Sequence, residues 1–149
     1  MKRSALTVVV STVLLGSALM GVPAANATTP ASYYNDCGAA AVVMPKSITE
    51  YCADAGAGVI NIKWSTWGAT SAKGIGTFYI NGCDPNCASG KTYKTSKVAV
   101  LLNGATKTHG KNFLMRVTVT PAPGKKFVWP PKMKPLPTKV TWVTDLWRG

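Results

Sequence analysis

Four cysteines, Cys37, Cys52, Cys83 and Cys87, constrain what this chain can fold into more than any other feature. All of them follow an amino-terminal segment laid out like an export leader. Lys2 and Arg3 give it a positive start, an apolar run extends from Ala5 to Val22, and Ala25-Asn26-Ala27 closes it with a small-x-small site. That combination predicts a signal peptide over residues 1–27, cut after Ala27. An uncleaved anchor is the alternative, because the run is just long enough to span a bilayer. The Ala-x-Ala site favours cleavage. No cysteine ends the apolar run and Arg3 stands alone, so neither lipid attachment nor a twin-arginine route is expected. After cleavage no transmembrane segment is expected, and the predicted location is extracellular or cell-surface associated.

An even number of cysteines outside the cytoplasm reads as disulfides. Four allow three pairings. The most economical joins Cys37 to Cys52 and Cys83 to Cys87. Closing the first loop is worth about 3 kcal/mol in the chain-entropy description. The second staples the short loop Cys83-Asp84-Pro85-Asn86-Cys87. Zinc is the rival reading. Its paired C-x2-C spacing is missing and His109 is the only histidine, so no metal and no cofactor is expected.

A fold stapled in this way needs little core, and the hydrophobic pattern predicts β-strands. Ile60, Ile62 and Trp64 alternate with Asn61, Lys63 and Ser65, with Trp67 out of phase. Trp67 therefore sits at a bulge or on the opposite surface. In 75–81, Phe78 and Ile80 share one side and Ile75 and Tyr79 the other. Segment 97–102 is a further strand. In 113–120, Phe113, Met115, Val117 and Val119 alternate with Leu114, Arg116, Thr118 and Thr120, the signature of one buried and one wet face. The residues from Asn103 to Asn112 read as an exposed hairpin loop. Ser47 to Cys52 is a shorter strand candidate. No helical stripe follows the leader. The expected fold is mostly β, a small antiparallel sandwich or open barrel of five or six strands.

The predicted division is a signal peptide at 1–27, a loose arm at 28–44, a disulfide-stapled β domain at 45–121, and a Pro/Lys-rich extension at 122–149. The extension interleaves Pro130, Pro131, Pro135 and Pro137 with Lys125, Lys126, Lys132, Lys134 and Lys139. Proline cannot donate to a central ladder, so this stretch is expected to be extended and solvated, and 140–147 reads either as a last edge strand or as an unpacked tail.

Seventeen Lys and Arg residues face five acids, a formal charge of +12. Losing Lys2 and Arg3 with the leader leaves +10. Every cation from Lys91 to Arg148 has only Asp145 as an acidic counterpart downstream of Ala88. Such a domain attracts polyanions: a wall polymer, acidic headgroups or nucleic acid, with no sequence-specific nucleic-acid contact implied.

Catalytic groups are scarce. Glu50 and Asp54 are the only acids close in sequence, and a turn separates them. His109 lies between Thr108 and Gly110, no serine stands in G-x-S-x-G, and oxidised cysteines cannot attack. The Gly74-Ile75-Gly76 run lacks the third glycine and helix of a phosphate loop. The aromatics are better contact candidates. Trp64 joins the face of Ile60 and Ile62 and reads as core. Trp67, Trp129 and Trp147 could present rings beside lysines. The candidate contact set is Trp67, Lys73, Lys91, Lys107, Lys111 and Trp129, with no catalytic residue.

The run Trp64-Ser-Thr-Trp67-Gly68, then Ala72, Gly74 and Gly76, then Cys83-Asp-Pro85-Asn-Cys87-Ala88-Ser-Gly90 resembles a group of small exported proteins of actinobacteria. Their pattern is W-x-x-W-G, A-x-G-x-G and C-x-P-x-C-A-x-G. The resemblance covers 45–120, roughly half of the chain. It implies export and a Cys83–Cys87 disulfide, and it brings no activity with it. The expected function is a non-enzymatic secreted module that associates with anionic cell-envelope or extracellular material. The alternative is a protein-interaction or protease-inhibitor-like domain acting through the Cys83–Cys87 loop. The oligomeric state is not legible.

Overall fold

A computed structural model describes residues 30–37, 40–133 and 137–144. The predicted signal peptide, Lys134, Pro135, Asp145 and Trp147 lie outside the described residues. Within them the protein is all β, without a helix. The strands are β1 (Tyr34–Asp36), β2 (Ala40–Val42), β3 (Ile48–Thr49), β4 (Ala57–Trp67), β5 (Ala72–Asn81), β6 (Thr92–Thr108), β7 (Lys111–Thr120) and β8 (Val140–Val143). β3 to β8 form one antiparallel sheet in sequence order, and β1 and β2 form a separate pair. The six-stranded sheet curls into a half-barrel.

The alternation in β5 is complete. Ala72, Gly74, Gly76, Phe78 and Ile80 face inward, and Lys73 and Ile75 face solvent. Val98, Val100 and Leu102 of β6 and Val117 and Val119 of β7 continue the core. In β4 the inward set differs from a simple alternation. Ala57 and Val59 point in, and then the ladder slips between Ile60 and Lys63, with Asn61 in a left-handed conformation at φ 55°. After that bulge Ile62 is buried and Trp64 packs against the core, while Ile60 is left half-buried outside it. A second slip between Trp64 and Thr66 returns Trp67 to the core side. The period-two reading of β4 therefore placed Ile60 on the wrong side, because a bulge reverses every side chain beyond it.

Three other segments differ from their expected form. The predicted loop from Asn103 to Asn112 is strand: β6 runs to Thr108 and β7 starts at Lys111, with Thr108 opposite Lys111. His109 (φ 46°) and Gly110 (φ 72°) alone make the turn, both left-handed as a tight hairpin of this twist requires. The arm is packed rather than loose. Ser32, Tyr34 and Asn35 are fully buried, Tyr33 bridges to Phe113, and the Leu114 amide donates to the Tyr33 carbonyl at 2.9 Å. β7 is covered on both faces there, so Phe113, Leu114 and Met115 are buried in succession, and Leu114 is not wet.

The third difference shapes the surface. The Pro/Lys stretch after β7 is not a free extension but a strap over the half-barrel. The Lys125 amide donates to the Ala122 carbonyl, and Gly124 sits at φ 74° in that turn. Phe127 then inserts, 6 % exposed, with its ring edge on Phe78 at 5.0 Å. Trp129 stacks parallel to Phe78 at 6.2 Å. The buried Thr95 hydroxyl accepts from the Val128 amide at 2.7 Å and fixes the strap to β6. β8 returns as the expected edge strand on β7, with Val117 opposite Trp142.

Both disulfides take the economical pairing: Cys37–Cys52 with Cα atoms 5.5 Å apart, and Cys83–Cys87. No cysteine is free among the described residues, and none of their helices is long and apolar enough to cross a membrane.

Candidate lysine groove

Two neighbouring bulges create the site. On one side of β5 lies the Asn61 bulge of β4. On its other side the β5–β6 ladder slips between Gly76–Val98 and Phe78–Thr95. Ser96 and Lys97 together face the single residue Thr77, one residue in excess, and Lys97 takes a left-handed φ of 56°. Ordinary alternation would turn one of them inward. At the bulge both are exposed. Gly76 lies between the two bulges for a steric reason. A Cβ there would come 2.6 Å from Val59 Cγ1, so only glycine lets β5 pass the core at this point.

The outer face above Gly76 is a shallow groove of about 340 Å³ lined by Lys63, Ile75, Thr77, Ser96 and Lys97 among others. Ser96 and Lys97 also line the next depression, about 240 Å³, together with Lys94, Lys125, Lys126 and Val128. Lys125 and Lys126 continue into a third, about 280 Å³, walled by Pro121, Phe127 and Pro137. The three share residues and so form one path. Five lysines border it: Lys63, Lys94, Lys97, Lys125 and Lys126. Among the described residues no acid lines any part of it. The one ion pair among the described residues lies elsewhere, between Lys132 and Asp84 at 2.6 Å, both exposed.

The fold does not gather the contact residues expected from sequence. Trp67 is half-buried, meets Trp64 edge-on at 4.9 Å, and donates its indole N–H to the Ser32 carbonyl. Trp129 is half-buried on Phe78. Lys107 and Lys111 stand at the β6–β7 hairpin, where the Lys111 ammonium lies 5.6 Å from the Tyr33 ring centre. Lys91 lies 5.4 Å from the Tyr93 ring centre. Lys73 is on the outer face of β5 opposite Leu101, outside the grooves. Trp64 packs against the core as expected and donates to the Pro45 carbonyl at 2.8 Å. The sequence reading missed Lys94, Lys97, Lys125 and Lys126 as a set. Its one available signal was local: Lys94-Thr-Ser-Lys97 breaks the alternation that Val98 to Leu102 resumes.

Two of the acids meet on a different surface. Glu50 and Asp54 line a cavity of about 280 Å³ with Tyr51, Ile80, Trp129 and Met133. Burial pushes the Glu50 carboxyl above its ordinary range, partly offset by a hydrogen bond with Tyr51. A carboxyl raised in the folded state binds its proton more tightly there than in the unfolded chain. Its ionisation therefore lowers stability as pH rises through the window just above the ordinary glutamate value. Glu50→Gln is expected to raise the melting temperature at neutral pH, with the gain vanishing on acidification below that window; thermal denaturation across pH measures it. No histidine lines this cavity, and His109 lies at the hairpin turn with its Nδ1 3.1 Å from the Thr108 hydroxyl. No cluster of three or more His, Cys, Asp or Glu able to hold a metal ion occurs among the described residues.

No protein-family model, curated protein or solved structure matches the chain. The motif resemblance to exported actinobacterial proteins therefore rests on its residues alone.

Proposed function

We propose that the protein is a secreted, non-enzymatic basic module that associates with anionic cell-envelope or extracellular material through the lysine groove. The observation that carries this reading is the run of adjoining depressions bordered by Lys63, Lys94, Lys97, Lys125 and Lys126, with no acid among the described residues that line them. Like charges held this close repel one another, and an anionic ligand relieves that repulsion while releasing its own counterions. The two disulfides fit an oxidising compartment. The strap adds to the argument, because burial of Phe127 fixes Lys125 and Lys126 beside Lys94 and Lys97, and no ion pair to a described acid holds them there.

Retention on a heparin column tests it. The protein is expected to bind at low salt and to elute at a few hundred millimolar, where screening reaches ~3–8 Å. Lys97→Glu with Lys126→Glu is expected to weaken binding about ten-fold or more. Lys73→Glu with Lys107→Glu changes net charge equally outside the groove and is expected to have a much smaller effect. Equal losses in the two pairs would reduce the reading to net charge and remove the site.

A further inference from the structure

On the reading that the lysine groove takes anionic partners, we infer that its partner is an anionic lipid surface. The groove is not purely cationic. Ile75 is 58 % exposed and Val128 is 50 % exposed, among the most exposed large apolar residues described. They flank Lys97: Ile75 lines the groove above Gly76, Val128 lines the adjoining one, and the two grooves share Ser96 and Lys97. Both are held outward by the fold. Ile75 alternates with the buried Gly74 and Gly76, and Val128 alternates with Phe127 and Trp129, whose rings sit on Phe78. On the outer face Ile75 stands between Lys63 of β4 and the exposed Ala99 of β6, with the short side chains of Ser65, Thr77 and Ser96 lining the same groove. Beside these neighbours the isoleucine keeps more than half of its surface open.

Charge complementarity sets the sign of the partner, and the aliphatics set its class. A hydrated polyanion presents oxygens and has no use for two exposed aliphatic side chains. An anionic bilayer offers both features at once, charged headgroups above the acyl boundary. Aliphatic side chains can enter that boundary while lysine stems extend along it and keep their ammonium groups among the headgroups. Each lysine at such a surface contributes about five-fold in affinity. Burying each aliphatic contributes on the order of ten-fold.

The test is co-sedimentation of the oxidised protein, residues 28–149, which hold every described residue. The vesicles are equal parts phosphatidylglycerol and phosphatidylcholine, with pure phosphatidylcholine alongside and heparin retention measured in parallel. The protein is expected to sediment with the anionic vesicles and not with the neutral ones. Ile75→Ser with Val128→Ser is expected to weaken vesicle binding about ten-fold or more and to leave heparin elution unchanged. Both positions are on the surface, and circular dichroism checks that the variant keeps its fold. Three results would overturn the lipid assignment while leaving the groove as a polyanion site: the serine variant sedimenting like the parent, the parent binding heparin but ignoring the vesicles, or equal binding to neutral vesicles. A serine variant that loses heparin retention in equal measure would overturn it as well, since the aliphatics would then serve the groove itself. If Lys97→Glu with Lys126→Glu changes neither assay, the underlying reading falls instead.

Discussion

Phe78→Ala is expected to destabilise the protein by about 4 kcal/mol, measured by urea denaturation. Phe78 is fully buried near the middle of β5. Its ring is the seat of the strap: Phe127 meets it edge-on at 5.0 Å and Trp129 lies nearly parallel to it at 6.2 Å. Removing the ring leaves a cavity that the sheet cannot close, because the same stretch of β5 is held on both sides by β4 and β6. Aromatic contacts of this kind add to simple area burial. The loss also has a functional side. Without its anchor the strap no longer holds Lys125 and Lys126 beside Lys97, so heparin affinity should fall under conditions where the sheet is still folded. Phe127→Ala is the complementary variant. It should produce the same loss of affinity at a smaller cost to the sheet, because Phe127 lies on the strap.

Replacing both Cys37 and Cys52 by alanine is expected to cost about 3 kcal/mol. This bridge joins the end of β1 to the segment after β3, so the unfolded chain regains a long loop when it is removed. Its consequences should concentrate in the arm. Tyr34 and Asn35 are fully buried next to Cys37 and depend on β1 staying in place. Burial pushes the Tyr34 phenol up, and the charge of Asp36 adds to that, so the ring is committed to an apolar site. Thermal melting of the double variant should show a large drop, and limited proteolysis should cut first near the arm. Replacing Cys83 and Cys87 should cost less, since the loop closed is only four residues in separation. Asn81 supports that loop independently, accepting from the Cys83 amide at 2.9 Å and donating to the Cys87 carbonyl at 2.7 Å.

The strands that follow simple alternation were legible in the sequence. The 75–81 part of β5 and the 98–102 stretch of β6 obey a period of two, while the first residues of β5, Ala72 to Gly74, read as loop and Ile75 is an apolar residue on the solvent face. The edge strand after the prolines was legible too, as were the economical cysteine pairings. Three physical effects hid the rest. Left-handed backbone at Asn61, Lys97 and His109 has weak sequence signals, because none of them is glycine. Two of these residues bend the sheet at bulges, and the third closes a two-residue turn that composition presented as a ten-residue loop. The strap was hidden by its own company: Phe127 and Trp129 form a period-two apolar pair, but prolines and lysines surround them, and average composition reads that as solvated. The arm was hidden because Tyr34 is buried by contacts with residues about eighty positions away, which no local window sees.

The lysine groove depends on the first two of these effects together. Lys63 is aimed by one bulge and Lys97 by another, while Lys125 and Lys126 arrive on the strap. None of the four shares a periodic pattern with the others, so the site exists only once the sheet has bent and the strap has closed.

Residue-resolved lysine acetylation, read by mass spectrometry with and without saturating heparin, tests this most directly. The ligand should shield Lys94, Lys97, Lys125 and Lys126 and leave Lys73, Lys91 and Lys107 reacting at their free rates. Uniform shielding of all the lysines, or shielding confined to the β6–β7 hairpin, would contradict a binding path built from the bulges and the strap.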